Sequence, residues 1–134
     1  MAGALGSQYI GGLHPCEMCH WQRWPHYAAL VIALLAFWLK PPMKPVLIAL
    51  AALAILTSGA IGVFHAGVEY HWWEGVTPCT ASAASTSLED LLRAPIIRCD
   101  AAQWTLGGIS LAGFNAIFSI LGGLAVLALV KRGS

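Results

Sequence analysis

The chain has 134 residues, of which 58% are hydrophobic and only 10% charged, and its formal net charge is +1. An average soluble domain carries roughly a quarter charged residues, so the shortage of charge points to lipid, and the length points to one domain. With no basic run and no charge block, no nucleic-acid partner is expected.

Residues 1–13 are too short and too glycine-rich to span a bilayer, and they lack the basic start and apolar core of a signal peptide. Two readings stand side by side: the outer end of a spanning helix whose beginning precedes the sequence, or a short disordered terminus. The apolar run Tyr27 to Leu39 is thirteen residues long. It reaches spanning length if its helix starts near Trp21, which places Arg23 and two tryptophans at the interface, where arginine can snorkel and tryptophan joins the aromatic belt. Pro25 near the top of that helix is a candidate kink. Val46 to Phe64 is nineteen residues without a charge, and Leu106 to Val130 is twenty-five. About 20 residues at 1.5 Å rise cross roughly 30 Å of hydrocarbon. The sequence therefore predicts an all-α integral membrane helix bundle, one domain over 1–134. Its spans are expected at about 18–39, 45–68 and 105–130, with an outer loop at about 70–104.

Lys40 and Lys44 lie between the first two of these spans, and Lys131 and Arg132 follow the last. The positive-inside rule puts both clusters in the cytoplasm. The opposite side, the periplasm in a bacterium, permits disulfides. Cys16, Cys19, Cys79 and Cys99 all fall on that side, a sorting that the charge rule did not presuppose. Within the outer loop, Trp72 and Trp73 read as belt residues, and Ala81 to Ser87 as a small-residue linker. Ser87 to Arg93 reads as a capped helical turn with Leu88, Leu91 and Leu92 on one face.

Cys16-Glu17-Met18-Cys19 is a Cys-x-x-Cys motif opening a helix, where unpaired N–H groups and the positive dipole end favour a thiolate. Arg23 follows Cys19 by four residues, one turn deeper on the same face. This combination suits a redox centre facing a lipid-soluble acceptor. The alternatives are a structural bridge or half of a metal site, which would need two more converging ligands. Cys79 and Cys99 are separated by nineteen residues. If bridged, they would stabilise the loop by roughly 3 kcal/mol, an ordinary structural role. A bridge beside a small-residue linker is also open to an incoming thiolate, and exposed bridges tend to be labile.

Pro15-Cys16-x-x-Cys19-x-x-Gln22-Arg23, the pair Cys79 and Cys99, and Cys99-x-x-x-Gln103-Trp104 leading into the last span together resemble the disulfide bond formation protein B family, quinone-linked thiol oxidases of bacterial envelopes. Order and spacing agree over almost the whole chain. The family has four spans; three complete ones are visible here and the first is truncated or missing. The resemblance implies residence in the bacterial inner membrane and ubiquinone or menaquinone as acceptor, with no metal. It implies a periplasmic thioredoxin-fold dithiol oxidase of the DsbA type as partner. It further implies that Cys79 takes the attack of the partner's thiol and that Cys99 exchanges with Cys16. Cys19 would lie nearest the quinone, with Arg23 stabilising it. The vitamin K epoxide reductase type uses a similar relay, but its quinone-proximal Cys-x-x-Cys follows the loop pair, whereas here it comes first.

His65 and Glu69, one turn apart at the outer end of the second span, are candidates for a quinone or proton role, since ionisable groups at membrane depth are functional by default. His14, His20, His26 and His71 are explained by interface placement. Asn115 is expected to bond a neighbouring helix. Gly108, Ala112 and Ala116, at four-residue spacing, read as a close-packing face.

Overall fold

The computed structural model of the chain describes residues 2–77 and 98–133, and over these it is mostly helical. Among the described residues there are four helices, α1 (Ala2–Tyr9), α2 (Glu17–Trp38), α3 (Met43–Glu69) and α4 (Leu111–Gly133). Two-residue strands β1 (Thr105–Leu106) and β2 (Ile109–Ser110) precede α4. Of the described helices, α3 and α4 are long and apolar enough to cross a membrane. Their 27 and 23 residues extend roughly 40 and 35 Å at 1.5 Å per residue. α2 has the length, with 22 residues, but Glu17, His20, Arg23 and His26 crowd its first half.

The burial pattern is the reverse of a soluble protein's. Leu34, Leu35, Phe37, Leu50, Phe118 and Leu121 face outward, while the interior is built from Ala29, Ala36, Ala51, Ala52, Ser58, Ala112, Ala116 and Ser119. Small residues inside and large apolar ones outside is how helices associate in lipid, where burying leucine gains little and close backbone approach gains dispersion and hydrogen bonds. α3 occupies the middle, packed against α2 on one flank and α4 on the other. At Gly62 the backbones of α3 and α4 come close: a Cβ there would meet the Ala112 carbonyl oxygen at 3.0 Å and the Ala116 nitrogen at 3.0 Å.

Helix ends follow local chemistry. α2 stops before Pro41-Pro42, as the residue preceding a proline disfavours helical backbone. Tight antiparallel connection then returns the chain into α3. At the far end His71 adopts φ 58, and the amides of Tyr70 and Trp72 close on the Ala66 and Gly67 carbonyls, a left-handed termination. Trp73 folds back: its indole N–H donates to the Phe64 carbonyl at 2.9 Å, and its ring stacks on Phe64. A Cβ on Gly67 would fall 2.0 Å from that ring, so Trp73 is a fitted cap on α3, beyond the belt role expected of it.

Residues 105–110, expected to begin the last span, form a hairpin instead. Gly107 and Gly108 have φ +60 and +81, the two left-handed positions of a type I′ turn. Gly108 therefore serves the turn and takes no part in the helix-packing face assigned to it with Ala112 and Ala116. Tyr70 fastens the hairpin, donating to the Gly108 carbonyl at 2.7 Å and accepting from the Ser110 amide at 3.0 Å. Ser110 then caps α4 by accepting from the Gly113 amide at 3.1 Å. Residues 2–9, for which two readings stood, form helix α1. The linker and the capped turn expected between Ala81 and Arg93 lie outside the described residues.

Because α2, α3 and α4 alternate in direction, Lys40, Lys44, Lys131 and Arg132 gather at one end. The start of α2, the end of α3 and the start of α4 meet at the other. The α3–α4 approach is directly testable by thermal denaturation in detergent. Gly62→Leu should lower stability by about 1–3 kcal/mol. Gly122→Leu, where a Cβ meets nothing within 4 Å, should change it little; equal effects would refute the packing.

Candidate functional site

Cys16 is the residue on which α2 begins. With φ −76 and ψ 172 it has the extended backbone of an N-cap, and its sulfur accepts from the Cys19 amide at 3.3 Å. The same turn brings the two sulfurs to 2.8 Å, and both cysteines are free. Closing to the ~2.05 Å of a disulfide needs less than an ångström of movement. Cys16 is buried and Cys19 half-buried. The hydrogen bond to Cys19 and, after it, burial push the Cys16 thiol well above its ordinary range. Cys16 is therefore the harder of the two to ionise, while either sulfur can be the donor in the 2.8 Å contact.

Cys99 packs into the same place. It is fully buried in a cluster with Cys16, Met18 and Val68, flanked by Cys19 and Phe64, and it is disulfide-bonded. Gln103 fixes this approach from the other side, donating to the His14 carbonyl at 2.8 Å. Next door, Arg98 holds Asp100 in a two-pronged ion pair at 2.9 and 2.7 Å. The guanidinium keeps that carboxyl below the usual range.

Beneath the dithiol lies His65 of α3. Its Nε2 is 3.6 Å from the Cys16 sulfur and 3.8 Å from a Glu69 carboxylate oxygen. The second Glu69 oxygen is buried and has no hydrogen-bond partner among the described residues. Nδ1 of His65 is 2.7 Å from the Gln22 side-chain nitrogen. Gln22 in turn accepts from Asn115 of α4 at 2.8 Å, and Asn115 also reaches the carbonyl and hydroxyl of Ser58. His26, expected at the interface, is drawn into this interior network: its Nδ1 is 3.1 Å from the Gln22 carbonyl and its Nε2 3.4 Å from the Ser119 hydroxyl. Arg23 is buried and donates to the Gln8 side chain and, at 3.1 Å, to the Ala4 carbonyl. An arginine among neutral acceptors is thus satisfied by α1.

A cavity of about 580 Å³ opens from this constellation into the bundle. Cys16, Cys19, Arg23, His65 and Glu69 line its head, and Ile55, Phe114, Phe118 and Val126 its apolar depth. The residues singled out from sequence thus come together at one end of the bundle, except Cys79, which lies outside the described residues. What sequence reasoning left without a role of their own are Gln22, Ser58 and Ser119, which form one chain with Asn115. The signal was available: polar side chains at spanning depth seldom stand without purpose. Asn115 was read as bonding a neighbouring helix, and it bonds two.

A family model described as "Disulfide bond formation protein DsbB" matches residues 1–130. Among curated proteins, a disulfide bond formation protein B of Acinetobacter baylyi is 30% identical over 98% of this chain and 84% of its own. One of Verminephrobacter eiseniae is 31% identical over 99% of this chain and 79% of its own. No solved structure matches the chain.

Alkylation of the reduced protein, followed by peptide mass mapping, checks the asymmetry of the dithiol. Iodoacetamide should modify Cys19 first, since the thiolate is the nucleophile and the Cys16 thiol is the raised one. Raising the pH should bring Cys16 up from a lower start. Equal rates at neutral pH would contradict this asymmetry.

Proposed function

We propose a function for a chain that belongs to the disulfide bond formation protein B family, a family of disulfide-forming oxidoreductases. It is a disulfide oxidase of the bacterial inner membrane that reoxidises a periplasmic thioredoxin-fold dithiol partner of the DsbA type and delivers the electrons to ubiquinone or menaquinone. In this reading α2, α3 and α4 are three spans, the cysteine end is periplasmic, and the lysine end is cytoplasmic. The observation that supports it most is the free Cys16–Cys19 pair at 2.8 Å, with Cys99 packed against it and a cavity running from it into the bundle.

The relay consists of thiol–disulfide exchanges, each moving two electrons. The partner's thiolate attacks a Cys79–Cys99 bridge at Cys79, and Cys99 leaves as a thiolate. Cys99 attacks a Cys16–Cys19 bridge at Cys16, and Cys19 leaves as a thiolate. The partner's remaining thiol then displaces Cys79 and completes the partner's own disulfide; Cys79 reforms its bridge with Cys99 and returns Cys16 as a thiol. Restoring the Cys16–Cys19 bridge removes two electrons and two protons from this pair. A bound quinone supplies the sink for both. A partner of this kind has a potential near −120 mV, so a protein bridge without such a sink would be poorly placed to oxidise it.

The residues fit such a group. The cavity of about 580 Å³ falls in the range of small-molecule sites, roughly 300–1,000 Å³. Its depth is apolar, while Arg23, His65 and Glu69 stand with Cys19 at its head, and one Glu69 oxygen is buried with no hydrogen-bond partner among the described residues. Arg23 offers positive charge where charge develops, and Glu69 and His65 are placed to move protons. A second reading, metal binding, has one observation in its favour: ligand atoms of Cys16, Cys19 and His65 lie within 4.8 Å of one another.

The deciding experiment is quinone reduction by the protein in lipid nanodiscs, with a reduced thioredoxin-fold periplasmic protein as electron donor and quinone absorbance as readout. Cys19→Ser and Cys79→Ser should each abolish turnover. Absence of turnover in the unaltered protein with both quinone types would sink the oxidase reading. Stoichiometric metal released on thiol alkylation would establish the second.

A further inference from the structure

The directions of the interior hydrogen bonds can be read one after another from a fixed starting point. The Ser58 backbone carbonyl can only accept, and it lies 3.2 Å from the Asn115 side-chain nitrogen. The Ser58 hydroxyl is committed as a donor to the Gln22 carbonyl at 2.6 Å, and so accepts from the same Asn115 nitrogen at 3.1 Å. The NH₂ of Asn115 therefore faces α3, while its oxygen receives the Ser119 hydroxyl at 3.0 Å. That NH₂ also donates to Gln22 Oε1 at 2.8 Å. With Oε1 so engaged, it is the Gln22 NH₂ that stands 2.7 Å from His65 Nδ1. An amide NH₂ donates and does not accept. Nδ1 must be the acceptor, and the proton of the neutral imidazole sits on Nε2, facing the Cys16 sulfur at 3.6 Å and Glu69 at 3.8 Å, with the Cys99 backbone a further hydrogen-bond partner of the ring.

We propose that Ser58, Asn115 and Gln22 are positioning residues that lock His65 in its Nε2–H tautomer, making it a standing hydrogen-bond donor to the Cys16 sulfur and a poor metal ligand. The first consequence rests on the oxidase reading. Whenever a bond to Cys16 breaks and leaves the electron pair on that sulfur, an N–H already aimed at it favours the charge, and hydrogen bonds to charged acceptors are the strong ones. The second does not depend on that reading. Two cysteines and a histidine within 4.8 Å would ordinarily suit zinc. A histidine that ligates through Nε2 carries its proton on Nδ1 and donates it to an acceptor behind. Here the group behind Nδ1 is itself a donor, and its orientation is fixed through Asn115 of α4 by the Ser58 carbonyl of α3.

NMR of the protein labelled with heavy nitrogen at histidine tests the tautomer directly, with His65→Gln identifying the His65 signals. The unaltered protein should show a protonated Nε2 and a bare Nδ1. Gln22→Glu, nearly isosteric, puts an acceptor opposite Nδ1 and should move the proton there. Asn115→Leu should release the Gln22 amide and give both tautomers. Zinc affinity of the reduced protein, measured by competition with a chromophoric chelator, should rise about 10–100-fold in Gln22→Glu. A protonated Nδ1 in the unaltered protein, or an unchanged tautomer in Gln22→Glu, would overturn the lock. Equal zinc affinities would overturn its bearing on metal. If Asn115→Leu does not fold, Gln22→Glu still decides. Failure of quinone reduction with the tautomer as stated would remove the oxidase reading and leave the lock standing.

Discussion

Hydrocarbon offers a polar side chain no partner, so every one inside this bundle has to be answered by another helix or by backbone. That demand organises the molecule. Gln22 on α2, Ser58 on α3 and Asn115 on α4 satisfy one another at a single depth, and only one rotation and height of the three helices allows it. Ala112, Ala116, Gly59 and Gly62 let the backbones come close enough for such short side chains to meet. The position of the dithiol follows from the same register, because Cys16, the N-cap of α2, precedes Gln22 by six residues and His65 follows Ser58 on α3 by seven.

Patterns made by residues near one another in sequence were legible; those made by residues brought together across the fold were not. The Cys-x-x-Cys at a helix start, the charge-free runs behind α3 and α4, and the lysines gathered at one end are local patterns, and a single pass along the chain finds them. Gln22 and Asn115 are ninety-three positions apart, and no periodicity links them. The start of α4 was misjudged for a different reason. Leu106 to Ser110 is apolar enough for a span, but Gly107-Gly108 supplies two left-handed positions and Ser110 a cap, so turn chemistry overrides hydropathy there. His26 and Trp73 look like interface residues by type. One is taken up by the network around Gln22, and the other finds a glycine-sized seat on α3.

The cysteine end combines features that pull in different directions. A helix N-terminus favours negative sulfur, burial opposes it, and the 2.8 Å contact couples the two sulfurs so that one ionises at the other's expense. Arg23, buried beside them, is held by α1 through neutral oxygens, so among the described residues no carboxylate cancels its charge. A positive field of that kind acts on whatever occupies the head of the cavity.

Cys16 also has a mechanical duty, since its sulfur closes the first turn of α2 by accepting from the Cys19 amide. Any difference in how well that sulfur caps the helix as a thiol and as half of a bridge is a difference in the stability of the two oxidation states. The folding energy of a helix end and the electron affinity of the dithiol are then one quantity measured on two scales. A cap contributing about 1 kcal/mol in only one state would correspond to about 20 mV. Tightening or loosening the first turn of α2 is thus a way to tune how strongly this pair oxidises, without altering either cysteine.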